Sequence, residues 1–247
     1  MFAFKTDGQM KKGIRLSVIL PMHNEEKRVE SCVKGVKSAC EPIAGISYEV
    51  IITEDGSKDR TCEVAKRMAK GDPHITVFHS AQRLGRGAAL TAALKRAKGK
   101  VSVYMDADLS SNLSHLKELV SRVEHGAAIA TGSRMLPSSK TKRSLRRDIA
   151  SRGFNLLVRT ILGSRLYDHQ CGFKAFDTKK VQKLLGEVED THWFWDTEML
   201  VRAQRHNMRV DEIPVEWAEK GKGSTVDLKK DVAYMASKIL YLKSRIG

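Results

Sequence analysis

The sequence predicts an α/β fold in which a mainly parallel sheet is flanked by helices. Short apolar or β-branched runs alternate with stretches of helical spacing, and clusters of acids and glycines fall where the runs end. The 247 residues suffice for one large domain with a full core.

The elements follow in order. Ile14 to Pro21 reads as a buried strand, and Glu25 to Cys40 carries apolar residues at helical spacing. Tyr48 to Thr53 is a second strand, running into Glu54-Asp55-Gly56-Ser57 and a helix from about Asp59 to Lys70. Ile75 to His79 is a third, followed by Gly85-Arg86-Gly87 and an alanine-rich helix over Ala88 to Ala97. Val101 to Met105 is a fourth and opens directly onto Asp106-Ala107-Asp108. Right-handed crossovers would gather these clusters beyond the carboxyl ends of the strands, where such sheets bind ligands.

Past the strand Ala127 to Thr131 the composition shifts. From Arg134 to Arg165 nine Lys or Arg face a single acid, Asp148. Pro137 to Ser144 has no apolar periodicity and reads as a loop, whereas Ile149 to Leu162 reads as a helix with apolar and basic faces. In the tail, Leu228, Val232, Met235, Ile239, Leu242 and Ile246 recur at spacings of three and four, with lysines elsewhere. That basic amphipathic helix either contacts a membrane or packs on the domain. The expected organisation is an extension at 1–13, a catalytic domain at 14–226 and a membrane-associating tail at 227–247.

A net charge of +15 and a pI near 9.7 call for an anionic partner: nucleic acid, acidic lipid or a phosphorylated substrate. Nucleic-acid binding is disfavoured because the basic segment contains Phe154 as its one aromatic. Cys32, Cys40, Cys62 and Cys171 lack zinc-like or disulfide-like spacing, which points to a reducing, cytosolic setting. No apolar run reaches the roughly eighteen residues of a membrane span. Pro21-Met22-His23-Asn24-Glu25 stands where a dinucleotide-binding oxidoreductase needs G-x-G-x-x-G.

Two carboxylates one residue apart at a strand end, Asp106 and Asp108, can present oxygens to one Mg²⁺ or Mn²⁺ ion, which would neutralise a departing diphosphate. The competing reading is a capped strand end. Glu54-Asp55-Gly56-Ser57 can accept a hydrogen bond from a nucleobase, or simply form an Asp-Gly turn before a helix.

Taken in order, Pro21 to Glu25, Glu54 to Ser57, Arg83 to Gly87, Asp106 to Asp108, Gly132-Ser133-Arg134, Asp168 to Lys174 and Trp195 to Glu198 make the chain resemble inverting family 2 glycosyltransferases. Within them the likeness is to dolichyl- or polyprenyl-phosphate hexose synthases. The resemblance implies a GT-A fold and transfer of a hexose from UDP-glucose or GDP-mannose to dolichyl or polyprenyl phosphate. It also implies peripheral contact with the cytoplasmic face of a membrane. Alternatives are a family 2 enzyme acting on a sugar hydroxyl, or a nucleotidyltransferase with a related core.

The resemblance further implies a nucleotide site made by Pro21, His23, Asn24, Glu25, Glu54, Asp55, Gly87, Asp106 and Ala107, with Asp55 recognising the base. Asp108 would bind the metal; Ser110 stands where mannose synthases often have Gln, a departure that removes one expected ligand and leaves Ser110 or water to complete the shell. Asp108, Arg134 and Asp168 are the expected catalytic residues. Arg134, Arg146, Arg147 and Arg152 are the cations available to the acceptor phosphate. Glu54 replaces the family's more frequent Asp, and Arg83 its frequent Asn; Arg83 and Arg86 otherwise read as solvated. Asp196 and Glu198 fall where hydroxyl-acting relatives place a base, although Asp196 reads equally as a helix cap. A phosphomonoester, with a second pKa of about 6, needs positioning more than deprotonation.

Overall fold

The computed structural model describes residues 13–43, 47–220 and 228–246, with side chains of the last helix described from 233 onward. The extension expected at 1–13 therefore falls, save for Gly13, outside the described residues, as do the side chains of Leu228 and Val232.

Four parallel strands, β1 (Leu16–Met22), β2 (Tyr48–Asp55), β3 (Ile75–Ser80) and β4 (Val101–Met105), form one half of a seven-stranded sheet. The other half holds β5 (Ile129–Ser133), β7 (Phe173–Asp177) and β8 (Val210–Pro214), giving the order β3-β2-β1-β4-β7-β5-β8. β7 runs antiparallel to both β4 and β5. A separate pair joins β6 (Lys140–Lys142) to β9 (Glu216–Ala218).

Both faces of the sheet are covered, which is why β1 and β4 are buried almost throughout and read as largely apolar runs. Along β1, Val18 and Leu20 pack against α1 (Val29–Cys40) and α4 (Leu116–Glu124). Ile19 points the other way, toward α3 (Arg86–Leu94) and α7 (Trp195–Arg205). The helices α2 (Thr61–Gly71) and α6 (Thr178–Leu184) complete the two layers.

Local reading and structure part at three places. The helix expected from Glu25 starts at Val29, because Asn24 adopts φ 56° and the turn around it is bonded to the next strand's turn. The loop expected at Pro137 to Ser144 contains β6, whose polar residues are held by pairing with a strand 76 positions away in sequence, at Glu216–Ala218. α5 (Leu145–Leu162) starts four residues before the expected Ile149.

In the last helix, α8 (Leu228–Ile246), Ile239 and Leu242 are buried with Val158, Leu162, Phe194 and Val201, and Met235 and Ile246 pack against the same cluster. Tyr234 and Tyr241 donate to Asp190 and Glu189 at 2.6 and 2.7 Å. Beside this contact, Leu145, Ile149, Leu156 and Leu157 of α5 and Leu240 and Tyr241 of α8 remain exposed. No helix among the described residues is long and apolar enough to cross a membrane.

If α8 belongs to the domain, Leu242→Ala opens a core cavity and should lower the unfolding free energy by about 2–5 kcal/mol. Urea denaturation followed by circular dichroism measures it, and a loss below about 0.5 kcal/mol would detach the helix from the core.

Candidate active site

The carboxyl ends of β1, β2 and β4 meet at one edge. His23 Nδ1 lies 2.8 Å from the Asp55 carbonyl, and Asn24 N donates to Ser57 Oγ at 2.9 Å. Glu25 bonds Thr61 through its backbone N–H and Arg28 through its carboxylate. Asp55 accepts from Leu84 N and Gly85 N at 2.7 and 2.9 Å, so its carboxylate shapes the loop before α3. Glu54 is fully buried between Ser57 N and His79. Pro21 pairs with Thr53 one strand away. A Cβ at Gly87 would lie 2.7 Å from Trp195 Cβ, so its absent side chain serves helix packing.

Asp106 stands half exposed at the end of β4, next to buried Ala107. A Cβ on Gly172 would lie 1.9 Å from Asp106 Oδ2, so only glycine leaves room for this carboxylate. Arg86 donates to Asp106 Oδ1 at 2.7 Å. Asp108 accepts from Ser110 N and Oγ at 2.9 and 2.6 Å, which brings the two expected metal ligands together. This all-oxygen set fits Mg²⁺ or Mn²⁺ completed by a diphosphate and water. Glu54, Cys62 and His79 also cluster, with ligand atoms within 4.8 Å of one another, but offer a mixed O, S and N set.

Arg86, far from solvated, is buried apart from 14% of its side chain and bridges Asp106 to Asp196, donating to Asp196 Oδ2 at 2.6 Å. Asp196 also meets Lys174 Nζ at 2.9 Å and accepts from the Tyr104 hydroxyl. Burial alone would raise the Asp196 pKa; the charges of Lys174 and Arg86 outweigh it and hold the carboxyl below its ordinary value. Asp196 caps no helix, since Phe194 occupies that position. Glu198 accepts from the N–H groups of Glu189 and Asp190 and from Arg202.

Arg134 and Asp168 pair with each other. Asp168 is fully buried and accepts from Arg134 N, Nε and Nη2 at 2.9, 2.7 and 2.9 Å. Burial opposes its ionisation, yet the guanidinium wins and holds its pKa well below the carboxylate range. On α5, Arg147 pairs with Glu219, Arg152 with Asp148, and Arg146 is exposed. Cys171 is buried and its thiol is pushed up to about 11, chiefly by burial, consistent with a packing role.

Sequence reading missed Arg86, Lys174 and Tyr104 as parts of the site. The available signal was Lys174, a charged residue inside the apolar strand Phe-Lys-Ala-Phe, which demands a buried partner.

A mostly parallel sheet whose carboxyl edge presents paired acids beside basic loops defines the GT-A class of glycosyltransferases. The description Glycosyl transferase family 2 matches residues 17–185, and the chain belongs to that family. It is 47% identical over 230 residues to Glycosyltransferase AglD of Haloferax volcanii, which covers 92% of this chain and 37% of AglD. Dolichyl-phosphate beta-glucosyltransferase ALG5A of Trichomonas vaginalis is 32% identical over 215 residues, covering 83% of this chain and 66% of that protein. The chain thus spans less than two thirds of either relative. In fold it is similar to glucosyl-3-phosphoglycerate synthase from Mycobacterium tuberculosis in complex with uridine diphosphate. The TM-score is 0.70 at 19% identity, covering 98% of this chain and 87% of that one.

His169, fully buried behind Asp168, has Nδ1 2.7 Å from Asn155 Oδ1 and Nε2 2.7 Å from Ser164 Oγ. The amide oxygen can only accept, so Nδ1 carries the proton; Ser164 Oγ already accepts from Leu166 N and Gln204 Nε2, so its hydroxyl donates to Nε2 and the ring is neutral. Burial pulls its pKa down to about 3 from 6.5. Between these values the unfolded chain binds a proton that the folded one refuses, so stability falls as pH drops through that window. Unfolding free energies measured from pH 7 to pH 3.5 should fall more steeply in the wild type than in His169→Gln; identical slopes would show that His169 ionises in the fold.

Proposed function

We propose that the protein transfers a hexose, with inversion, from a nucleotide diphosphate sugar to dolichyl or polyprenyl phosphate. One observation carries the choice of acceptor. The buried carboxylates Asp168, Asp196 and Glu198 are each already engaged by cations or N–H groups, which leaves these three poorly placed to deprotonate a hydroxyl. A phosphate needs no such base, because its oxygen is already anionic at neutral pH.

In this reading the acceptor phosphate oxygen attacks the anomeric carbon as the bond to the nucleoside diphosphate breaks, and the diphosphate leaves with that electron pair. Asp55 and Glu54, with Pro21, His23, Asn24 and Glu25, shape the nucleoside side, while Asp106 and Ala107 border the diphosphate. Mg²⁺ or Mn²⁺, held by Asp108 and Ser110, would supply Lewis-acid charge to the leaving group. Arg134, fixed by Asp168, faces the phosphates. A structure of the mycobacterial synthase also contains Mn²⁺ and UDP, which supports the metal. The names of the glucosyltransferase relatives, and UDP in that synthase, favour UDP-glucose over GDP-mannose as donor.

Peripheral membrane contact at the cytoplasmic face is part of the proposal. The exposed apolar residues of α5 and α8 sit among Arg146, Arg152, Lys243 and Arg245, a surface suited to anionic lipid headgroups.

Transfer from labelled UDP-glucose and GDP-mannose to a short polyprenyl phosphate, beside the matching polyprenol, tests the proposal. The phosphate should be glycosylated and the alcohol not, EDTA should stop the reaction, and Asp108→Ala should lower kcat about a hundredfold or more at an unchanged melting temperature. Equal transfer to the alcohol would return the chain to the hydroxyl-acting enzymes.

A further inference from the structure

Among the described residues, only two buried side-chain polar atoms lack a hydrogen-bond partner, Thr53 Oγ1 and Arg143 Nε. A strand hydroxyl can rotate toward what it finds. A guanidinium N–H is fixed in the plane of its fork, and leaving a charged donor unpaired away from water is costly, so the orphan requires an explanation.

Arg143 lies between β6 and α5, with 4% of its side chain exposed. Its Nη1 donates to Ser151 Oγ at 3.2 Å; Nη2 is bonded to Asp148 and lies 3.6 Å from Met135 Sδ, the residue next to Arg134. Asp148 is shared with Arg152. Asp168 engages Nε and Nη2 of Arg134, and no described hydrogen bond reaches Nη1. Three guanidinium groups therefore share two carboxylates here, Arg134, Arg143 and Arg152 against Asp148 and Asp168. Burial, and after it the like charge of Arg134, lowers the Arg143 pKa against the opposing pull of Asp148 and Asp168.

We propose that Arg143 and Arg134 together hold a phosphate group, Arg143 through its unpartnered Nε–H and Arg134 through Nη1. An anion there would satisfy the orphan donor, balance the excess charge and accept from two planar forks, the geometry in which arginine binds phosphate best. This deepens the functional reading above and rests on its phosphate chemistry, although the site itself is defined by binding alone. The group belongs either to the acceptor monoester or to the diphosphate of the donor. It differs from the outer arginines of α5, which meet solvent or surface carboxylates.

Titration calorimetry of the full chain with a short-chain polyprenyl phosphate, and separately with UDP and GDP in the presence of Mn²⁺, tests it. Arg143→Met, checked for a native melting temperature, should weaken one of these ligands about tenfold or more. Loss confined to the polyprenyl phosphate assigns the site to the acceptor, and loss confined to UDP or GDP assigns it to the donor. Arg143→Lys keeps the charge but not the fork, and should weaken the same ligand by a smaller factor. Unchanged affinity for all three ligands in either variant, with the fold intact, overturns the site. Arg143-dependent phosphate binding by a wild-type protein that transfers no sugar would leave the site standing and remove the functional reading instead.

Discussion

Lys174 is removed from water entirely and Arg86 almost so, and both depend on the same carboxylate, that of Asp196. Two cations can sit inside a protein only if their charge is met there, and taking away the partner of such a group costs about 3–5 kcal/mol. Asp196 thereby ties α7 to α3 through Arg86 and to β7 through Lys174, while Tyr104 brings in β4. The antiparallel course of β7 makes this possible, since its register sets Lys174 directly beside Tyr104. The chain of contacts ends at Asp106, so the first acid of the D-x-D pair is oriented by a network rooted in the core.

The same arrangement limits the chemistry. A carboxylate that neutralises two buried cations is held ionised and has no oxygen to spare for a substrate proton. Asp168 is bound to Arg134 in the same way. These two carboxylates thus offer fixed charges where proton transfer would need a free base. Such a site suits a nucleophile that arrives charged and needs only to be aligned with the departing diphosphate. The basic excess of the chain, which in sequence is a bare number, resolves into buried arginines beside the site and exposed ones around the apolar face of α5.

Much of this was legible beforehand. β1 to β4 announce themselves because parallel strands buried on both faces must be apolar throughout, and the acids at their ends mark the ligand edge. Pairing across long stretches of chain left no local trace: β6 is three polar residues whose strand character comes from β9. Arg86 looked solvated because a cation between two glycines resembles a loop tip, yet Gly87 is small so that α3 can approach Trp195, and that approach buries Arg86. Among the nine basic residues from Arg134 to Arg165, composition could not tell which was enclosed. Arg134 and Arg143 are, whereas of the other arginines expected at the acceptor phosphate Arg146 and Arg152 are exposed and Arg147 is half-buried.

The central claim is that the acceptor's own ionisation, with no enzyme carboxylate acting as base, governs the nucleophile. The pH dependence of kcat/KM measured with acceptors of different second pKa tests it most directly. For a polyprenyl phosphate the acid limb should fall near that group's second pKa of about 6, and for a less acidic phosphonate it should move upward by the difference between the two. An acid limb that stays at one pH whatever the acceptor would place the titrating base on the enzyme and contradict the account.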